Sequence, residues 1–444
     1  MVSAAEQLAA NLNFGALAKA DELKKRIWFT LGALLVYRLG TYIPLPGIDP
    51  NIWEQVFRSQ AGGILGMFNM FAGGGIHRMA IFALNIMPYI SASIIIQLLT
   101  TVSPQLEALK KEGEAGRKTL NQYTRYLTVI LAAFQSYGIA VGLEGAGNVV
   151  SDPGLFFRLS TAITLTGGTM FLMWLGEQIT SRGIGNGISL IILSGIVAEL
   201  PTALANMLEL GRTGALSTGL ILVVIVMAVA VIAFIVFMER AQRRLLIQYP
   251  KRQVGNKMFE GQSSHLPLKL NTSGVIPPIF ASSLLLLPTT VANFAQGSAS
   301  NGILSTITTL LGRGGPLYLI LYVSLIVFFA FFYTATVFNP ADTADNLKKH
   351  GGFVPGVRPG ERTAQYIDGI LTRITVVGAA YLAIICVLPE LLTSYSSVQL
   401  YFGGTSLLIV VSVTMDTVAQ IHGHLQAHQY EGLIRKSKLR GKKR

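Results

Sequence analysis

The chain has 444 residues, of which 51% are hydrophobic and only 13% are charged, and its mean hydropathy is +0.53. A soluble chain carries about 25% charged residues, and many segments here lack the polar face that every helix of a soluble protein needs. This composition excludes a large soluble protein, and the single cysteine excludes an internal disulfide framework and a cysteine metal site.

The first 26 residues are predicted to form a cytosolic amphipathic segment. They combine spaced leucines with lysines, namely Leu8, Leu12, Leu17, Lys19, Lys24 and Lys25. The first apolar run begins only at Ile27, and no small-residue cleavage site follows it, so no cleavable signal peptide is expected.

Ten segments are apolar enough to cross a bilayer core, which takes about 20 helical residues. They lie near 27–45, 76–100, 124–143, 157–179, 186–205, 216–238, 274–293, 316–338, 370–390 and 401–421. The segment at 220–237 carries no charge, whereas the segment at 186–205 is the weakest and ends at Pro201. The pattern predicts an all-α polytopic membrane protein with ten transmembrane helices.

The second span and the segment before it are unusual for a passive anchor. Residues 64–71 form an apolar piece between glycines, but eight helical residues reach only about 12 Å, too short to span. The span at 81–99 carries Pro88 and a polar residue at every fourth position, which predicts one polar helical face: Asn85, Tyr89, Ser93 and Gln97. Irregular backbone at membrane depth is tolerated only where protein or water covers it. We therefore expect the chain to surround a cavity or a pore.

The distribution of basic residues predicts the orientation. With the N-terminus inside, most of the 35 lysines and arginines fall in inner segments. The outer segments hold Arg58, Arg78, Arg158, Arg212 and Arg313, and Arg38 falls inside the first span. By the positive-inside rule both termini are cytosolic, and the net charge of +13 needs no nucleic-acid partner.

Two inner loops, 239–271 and 339–369, are long and basic. Structureless loops of about 30 residues are uncommon unless they are functional. Setting the topology needs only a few charges, so the extra length favours docking surfaces for a large cytosolic partner.

Motifs of enzymes and metal sites are weak in this chain. His422, His424 and His428 have a metal-like spacing, but only Glu431 lies near them, so no metal site is assigned. The glycine-rich run at 182–189 follows no strand and is interpreted as a tight inner turn, not a dinucleotide site. No nucleophile–histidine or paired-carboxylate arrangement is evident, so no catalytic residue and no cofactor are assigned.

A secondary transporter and an intramembrane enzyme are the two alternatives. A transporter needs an ion-coupling acid at mid-membrane, but the acidic residues here lie at the inner ends of spans, as Glu177, Glu239 and Asp416 do. An intramembrane enzyme would lack its catalytic pair.

Long motifs resemble the SecY family, the channel-forming subunits of the bacterial Sec protein translocase. The resemblance runs from about Leu23 to Tyr430, and its motifs lie at 86–100, 170–180, 182–189, 265–277, 338–363 and 401–411. Two departures stand near the predicted pore: Asn85, where the family commonly has glycine, and Ala80, where it usually has a small hydroxyl residue.

This resemblance implies the architecture. Two inverted five-span halves, 27–205 and 206–421, would surround a central pore, and a basic cytosolic tail would follow at 422–444. A re-entrant plug at about 62–75 would fill the outer vestibule through Ile64, Leu65, Gly66, Met67, Phe68, Asn69, Met70 and Phe71.

The resemblance also implies a pore ring and a lateral gate. The ring would be formed by Ile86, Ile90, Ile188, Ile192, Ile279 and Ile409. The gate would be formed by Asn85, Tyr89, Ser93, Gln97, Pro277 and Ile279. A narrow apolar ring blocks ions by excluding water, and the pair Pro277-Pro278 is expected to weaken its helix in a part that moves.

The implied function is conduction of unfolded secretory polypeptides across the bacterial inner membrane, with lateral release of transmembrane segments into lipid. Because no nucleotide site is evident, energy must come from a partner. The implied partners are SecE and SecG, the motor SecA, the ribosome, signal peptides and nascent chains, YidC and SecDF, and membrane lipids. SecA or the ribosome would dock at Arg243, Arg244, Lys251, Arg252 and Arg358, whose charges also suit ribosomal RNA phosphates.

Overall fold

A computed structural model provides the fold. It describes residues 20–60, 69, 71–145, 149–214, 217–249, 252–254, 257–259, 263–295, 316–395 and 404–441. Most of the predicted plug, most of the predicted N-terminal segment and Lys251 lie outside these residues.

The chain divides into two compact units. The first unit comprises Met1–Asn206, Thr290–Ser305 and Val413–Arg444, and the second comprises Met207–Thr289 and Thr306–Ser412. The end of the last helix thus packs with the N-terminal part of the chain. The division into domains predicted from the sequence stays a prediction.

The helices of the N-terminal part are α1 Asp21–Gly40, α2 Pro50–Gln60, α3 Met87–Val102, α4 Pro104–Lys111, α5 Glu114–Gly145, α6 Leu155–Arg182 and α7 Gly187–Arg212. The remainder holds α8 Thr218–Arg240, α9 Ile276–Ala295, α10 Pro316–Val337, α11 Pro340–Lys349, α12 Glu361–Tyr395 and α13 Gly404–Gly441. Four short strands lie between α8 and α9: β1 Gln242–Gln248, β2 Arg252–Val254, β3 Lys257–Phe259 and β4 Ser263–Lys269.

A helix lies at each of the ten predicted span positions. Among the residues that the structure describes, seven helices are long and apolar enough to cross a membrane, and the pair α3–α4, bent by 99°, makes an eighth. Helix α1 carries several charges and is not among these helices. The mostly helical membrane fold is confirmed, with four short strands that the all-α prediction lacked, whereas the count of ten spans stays a prediction.

The second span begins later than the sequence predicts. Residues 72–86 form turns, and α3 begins at Met87, with Pro88 in its first turn where no helical N–H is needed. Asn85 lies outside the helix with a φ of 49°. The prediction that Asn85 shares a helical face with Tyr89, Ser93 and Gln97 is therefore wrong for Asn85.

A buried apolar cluster fills the first unit around the turns at 72–86. Helix α2 contributes Trp53 and Phe57, the turns contribute Met79 and Leu84, and helix α6 contributes Leu165. The cluster fixes the segment that lies between the predicted plug and the predicted ring.

Two neighbouring glycines of α6 provide a matched test of this packing. A Cβ at Gly168 would collide with the carbonyl oxygen of Ile81, whereas a Cβ at Gly167 would meet no atom within 4 Å. We expect Gly168→Ala to lower the free energy of unfolding by about 1–3 kcal/mol through overpacking. Gly167→Ala should leave it unchanged or raise it by up to about 1 kcal/mol, because alanine favours helix. Thermal unfolding in detergent measures both, and equal destabilisation by the two variants would contradict the close approach.

In the second unit, side-chain contacts join helices that are not consecutive in the chain. Phe234 of α8 lies 5.8 Å from Tyr381 of α12, measured between ring centroids. The Tyr322 hydroxyl of α10 lies 2.9 Å from the Thr405 hydroxyl of α13. Because α10 also packs against α12, these contacts join α8, α10, α12 and the start of α13 within the second unit.

Candidate functional site

The predicted ring residues lie at the first turns of helices. Ile86 and Ile90 are buried at the start of α3, and the Ile90 N–H donates to the Ile86 carbonyl at 3.0 Å. Ile188 and Ile192 lie at the start of α7. The Asn186 side chain caps that helix by accepting from the Ile188 N–H at 3.1 Å. The two isoleucines of each pair are thus one helical turn apart, as predicted.

The other two ring residues belong to the second unit. Ile279 lies on α9 and is 8% exposed, and Ile409 lies on α13 and is fully buried. All six positions are therefore apolar and largely withdrawn from solvent, except for the half-buried Ile188. Their meeting in one ring stays a prediction.

The segment 71–76, here called the stem, joins the predicted plug to the turns before α3. All its residues are buried, and side chains capture four of its carbonyl groups. Five side chains donate hydrogen bonds to these carbonyl oxygens. Asn85 Nδ2 donates to Phe71, Tyr37 Oη to Ala72 at 3.3 Å, and Trp53 Nε1 to Ile76 at 2.8 Å. The Gly73 carbonyl accepts two bonds, from Arg38 Nη1 at 2.7 Å and from Arg78 Nη2 at 3.0 Å. The stem is thus fixed by side-chain bonds instead of a helix or sheet ladder.

The two arginines that bind the stem both contact the same tyrosine ring. Both guanidinium groups lie over the ring of Tyr42, Arg78 at 4.2 Å and Arg38 at 5.4 Å from its centroid. Arg78 also donates from Nε to the Thr41 carbonyl at 3.1 Å. In the sequence, both arginines bear only on the predicted orientation. A charge inside a predicted span often marks a functional residue, and Arg38 is such a charge.

Of the eight residues named for the predicted plug, 64–71, the structure describes Asn69 and Phe71. The Asn69 Oδ1 atom accepts from the His77 N–H at 2.7 Å, and its carbonyl accepts from the Gly74 N–H at 2.9 Å. The end of the plug segment is thus bound back onto the stem and the following turn.

The predicted gate residues lie on two helices, except for Asn85, which precedes α3. On α3, Gln97 Nε2 donates to Ser93 Oγ at 3.2 Å. On α9, Pro277 lies in the first turn, where proline fits a helix well. The expectation that Pro277 weakens its helix is therefore wrong, because the N–H groups of a first helical turn have no partner within the helix and proline removes none of its bonds there.

The glycine-rich run at 182–189 forms the predicted tight turn between α6 and α7. Three of its N–H groups donate to side chains of three helices: Ile184 to Thr30 Oγ1 at 3.1 Å, Gly185 to Gln420 Oε1 at 2.9 Å, and Gly187 to Thr180 Oγ1 at 2.9 Å. Gly185 has a φ of 88°, which favours glycine. The turn therefore ties α13 to α1 and α6 within the first unit.

The two long loops that are predicted to be cytosolic form one structure, here called the cytosolic module. Strand β1 pairs antiparallel with β4, from Gln242↔Lys269 to Gln248↔Ser263. The backbones of Gln248 and Phe353 exchange hydrogen bonds of 2.9 and 3.0 Å, which joins loop 239–271 to loop 339–369. Leu245 and Leu268 of the hairpin pack with Ile370 and Ile374 of α12. Neither the strands nor the junction of the two loops is predicted from the sequence.

The predicted docking residues lie on this module. Arg243 and Arg244 are exposed on β1, and Arg252 lies on β2 opposite Phe259. Arg358 is exposed directly after a turn closed by the bond from the Val357 N–H to the Val354 carbonyl at 3.1 Å. Its own carbonyl accepts from Thr363 Oγ1 at 2.8 Å, so its backbone is fixed while its side chain is free to bind.

Ionic contacts in the first unit lie both within one helix and between two helices. Lys111 lies 2.7 Å from Glu107 on α4, and the hydrogen bond from this lysine lowers the pKa of the Glu107 carboxyl. Arg125 of α5 forms a two-point contact with Glu177 of α6, at 2.7 and 3.1 Å. Glu177 is thus the ion-pair partner of an arginine on a neighbouring helix.

The comparisons with known proteins agree with one another. The SecY family model matches residues 80–418. The protein translocase subunit SecY of Vibrio cholerae is 56% identical over 426 residues, which cover 95% of this chain and 96% of the relative. The SecY subunit of Escherichia coli K12 is 55% identical over 423 residues, with the same coverage.

Solved structures support the same fold. "The structure of a protein conducting channel" superposes with a TM-score of 0.62 at 19% identity and covers 90% of this chain and 92% of its own. "Sec61 in the Canine ribosome-channel complex from the endoplasmic reticulum" gives a TM-score of 0.60 at 18% identity, with the same coverage. This multi-pass membrane chain therefore belongs to the SecY family, the protein-conducting channel subunits of the Sec translocase.

Proposed function

We propose that this chain forms the pore of a bacterial inner-membrane translocase that is driven from its cytosolic side by SecA or by the translating ribosome. Both termini are cytosolic in this proposal, in agreement with the distribution of basic residues. The observation that carries it is the cytosolic module, which presents exposed arginines on a fixed backbone at the inner end of the spans.

The module suits a large partner for electrostatic and geometric reasons. Arginine offers a planar, permanently charged fork that binds carboxylates, phosphates and carbonyl groups. Arg243 and Arg244 project from a paired strand, and Arg358 follows a closed turn, so little order is lost when a partner binds. Two of the solved relatives are titled as ribosome complexes, those of canine Sec61 and yeast Ssh1.

Inside the membrane, the proposal assigns the seal to the six isoleucines and the exit path to α3 and α9. Apolar side chains exclude water and ions from a narrow passage, and they fit a passing polypeptide without binding any one sequence. The polar residues Ser93 and Gln97 on α3 give the gate helix a face that a signal sequence can displace. SecE and SecG are the proposed membrane partners, with YidC and SecDF as further ones, and no step requires a cofactor.

A site-specific cross-link tests the proposal. A photoreactive residue placed at Ile86 or Ile409 should cross-link to a secretory chain stalled during transport, because both positions are assigned to the constriction. The same probe at Ile163, which is 72% exposed on α6, is the control and should capture lipid instead. Cross-linking confined to Ile163 in a transport-competent complex would contradict the proposed path.

A further inference from the structure

The turn at 182–189 is bound by helices that are distant from it in the sequence. The Ile184 N–H donates to Thr30 Oγ1 of α1 at 3.1 Å, and the Gly185 N–H donates to Gln420 Oε1 of α13 at 2.9 Å. Ile184 and Gly185 are both buried, and a buried N–H group that lacks an acceptor is costly. Gln420 therefore supplies the acceptor for a backbone group that lies 235 residues away in the chain.

Glycine allows the turn to approach both helices closely. A Cβ at Gly183 would collide with Thr30 Oγ1 of α1. A Cβ at Gly185 would lie 3.2 Å from Thr417 Oγ1 of α13, which is tight for such a contact. The backbone of the turn is thus in close contact with α13 as well as with α1.

An apolar cluster lies at the same junction. It contains Leu23 of α1, Ile184 of the turn and Leu425 of α13, each of them buried. Burial of these side chains adds to the hydrogen bond, because apolar surface is removed from water. Polar and apolar contacts therefore hold the same short stretch of α13 on the turn.

The turn leads directly into α7 and its predicted ring residues. Helix α7 begins at Gly187, and Ile188 and Ile192 lie in its first two turns. The Gly187 N–H donates to Thr180 Oγ1 at 2.9 Å, so the start of α7 is also bound to α6. Because the turn and the helix are continuous, the position of the turn sets the position of both isoleucines.

We propose that Gln420 is a positioning residue that holds α13 on the turn at 182–189, and that this junction stays closed while a polypeptide passes. The hydrogen bond, the close packing of glycine and the apolar cluster act together on one short turn. The first turn of α7 then keeps its place, and any widening of the passage comes from other helices. This role rests on the proposed function and on the ring assigned above.

Two substitutions at position 420 separate the hydrogen bond from the bulk of the side chain. Gln420→Glu keeps an oxygen that accepts from the Gly185 N–H, whereas Gln420→Leu removes the acceptor and keeps a similar size. We expect Gln420→Leu to raise the resting ion conductance of the reconstituted complex about tenfold, the effect of one lost hydrogen bond on the fraction of open junctions. Gln420→Glu should match the native conductance. Gln426→Leu, the same change at an exposed glutamine of α13, is the control and should also match it.

Chemical labelling measures the junction itself. In a Cys386→Ala background, Leu425→Cys places a thiol at a position that is 6% exposed in the native chain. A membrane-impermeant maleimide, added from the predicted cytosolic side, should label it about tenfold faster when Gln420→Leu is added. Gln420→Glu should leave the labelling rate unchanged. Equal labelling rates in these two variants would overturn the role of Gln420.

A covalent tether tests whether the junction stays closed during transport. Ile184→Cys with Leu425→Cys, in the same background, places two thiols in one apolar cluster, where a short bismaleimide can join the turn to α13. The tethered complex should transport a secretory precursor at the rate of the untethered variant. A tether that blocks transport by this otherwise active variant would overturn the proposal. Failure of the native complex to transport the precursor would instead contradict the proposed function.

Discussion

Double replacement of Ile86 and Ile90 with serine is expected to make the resting channel conduct ions. Each serine adds a hydroxyl and removes most of the apolar bulk, so water can fill a constriction that isoleucine keeps dry. The conductance of the reconstituted complex in a planar bilayer should rise by at least about tenfold. The pair Ile188→Ser and Ile192→Ser should act in the same direction, because those residues have the same spacing at the start of α7.

Two controls separate the ring from a general loss of packing. Ile90→Leu keeps the volume and the apolar character, so its conductance should match the native value. Ile163→Ser changes an isoleucine that is 72% exposed on α6 and should also leave the conductance unchanged. Native conductance in several multiple ring variants would rule out the assigned constriction.

Arg358→Glu is expected to lower SecA-driven transport of a secretory precursor into vesicles by at least about tenfold, as removal of a buried charge pair at an interface does. The substitution reverses an exposed charge whose backbone is held by the turn at Val354 and by Thr363. The protein should still insert and assemble, because many other basic residues remain on the inner side.

The matched control is Arg362→Glu, the same charge change at an exposed position four residues further on. It should retain most of the transport rate if position 358 itself contacts the motor. Arg358→Lys should fall between the native chain and Arg358→Glu, since lysine keeps the charge but lacks the planar fork. Equal rates for Arg358→Glu and the native complex would show that this loop has no docking role.

The positions of the spans are predictable from the sequence, because the thickness of the bilayer sets the number of consecutive apolar residues that a spanning helix needs. The turn at 182–189 was predictable for a similar reason, since glycines without a preceding strand mark a reversal of the chain. The start of α3 was not predictable from periodicity alone. Turns at 72–86 replace the first helical residues, and their fixation depends on Trp53, Arg38 and Arg78, which are distant in the sequence.

The contacts of the predicted site were less predictable than its residues. The helical spacing of Ile86 with Ile90 is local, and the structure contains it. The junction of the two inner loops depends on a bridge between Gln248 and Phe353, which are separated by more than 100 residues and have no shared motif. Proline at position 277 was misread because its effect depends on whether it begins a helix or interrupts one.

The bridge between Gln248 and Phe353 gives the two inner loops a common mechanical role. The hairpin continues directly from α8, and the second loop leads directly into α12, so any pull on one loop is shared with the other. The packing of Leu245 and Leu268 against Ile370 and Ile374 stiffens this junction. A partner that binds either loop is therefore coupled to both α8 and α12, and a force that it applies to one loop acts on two spans.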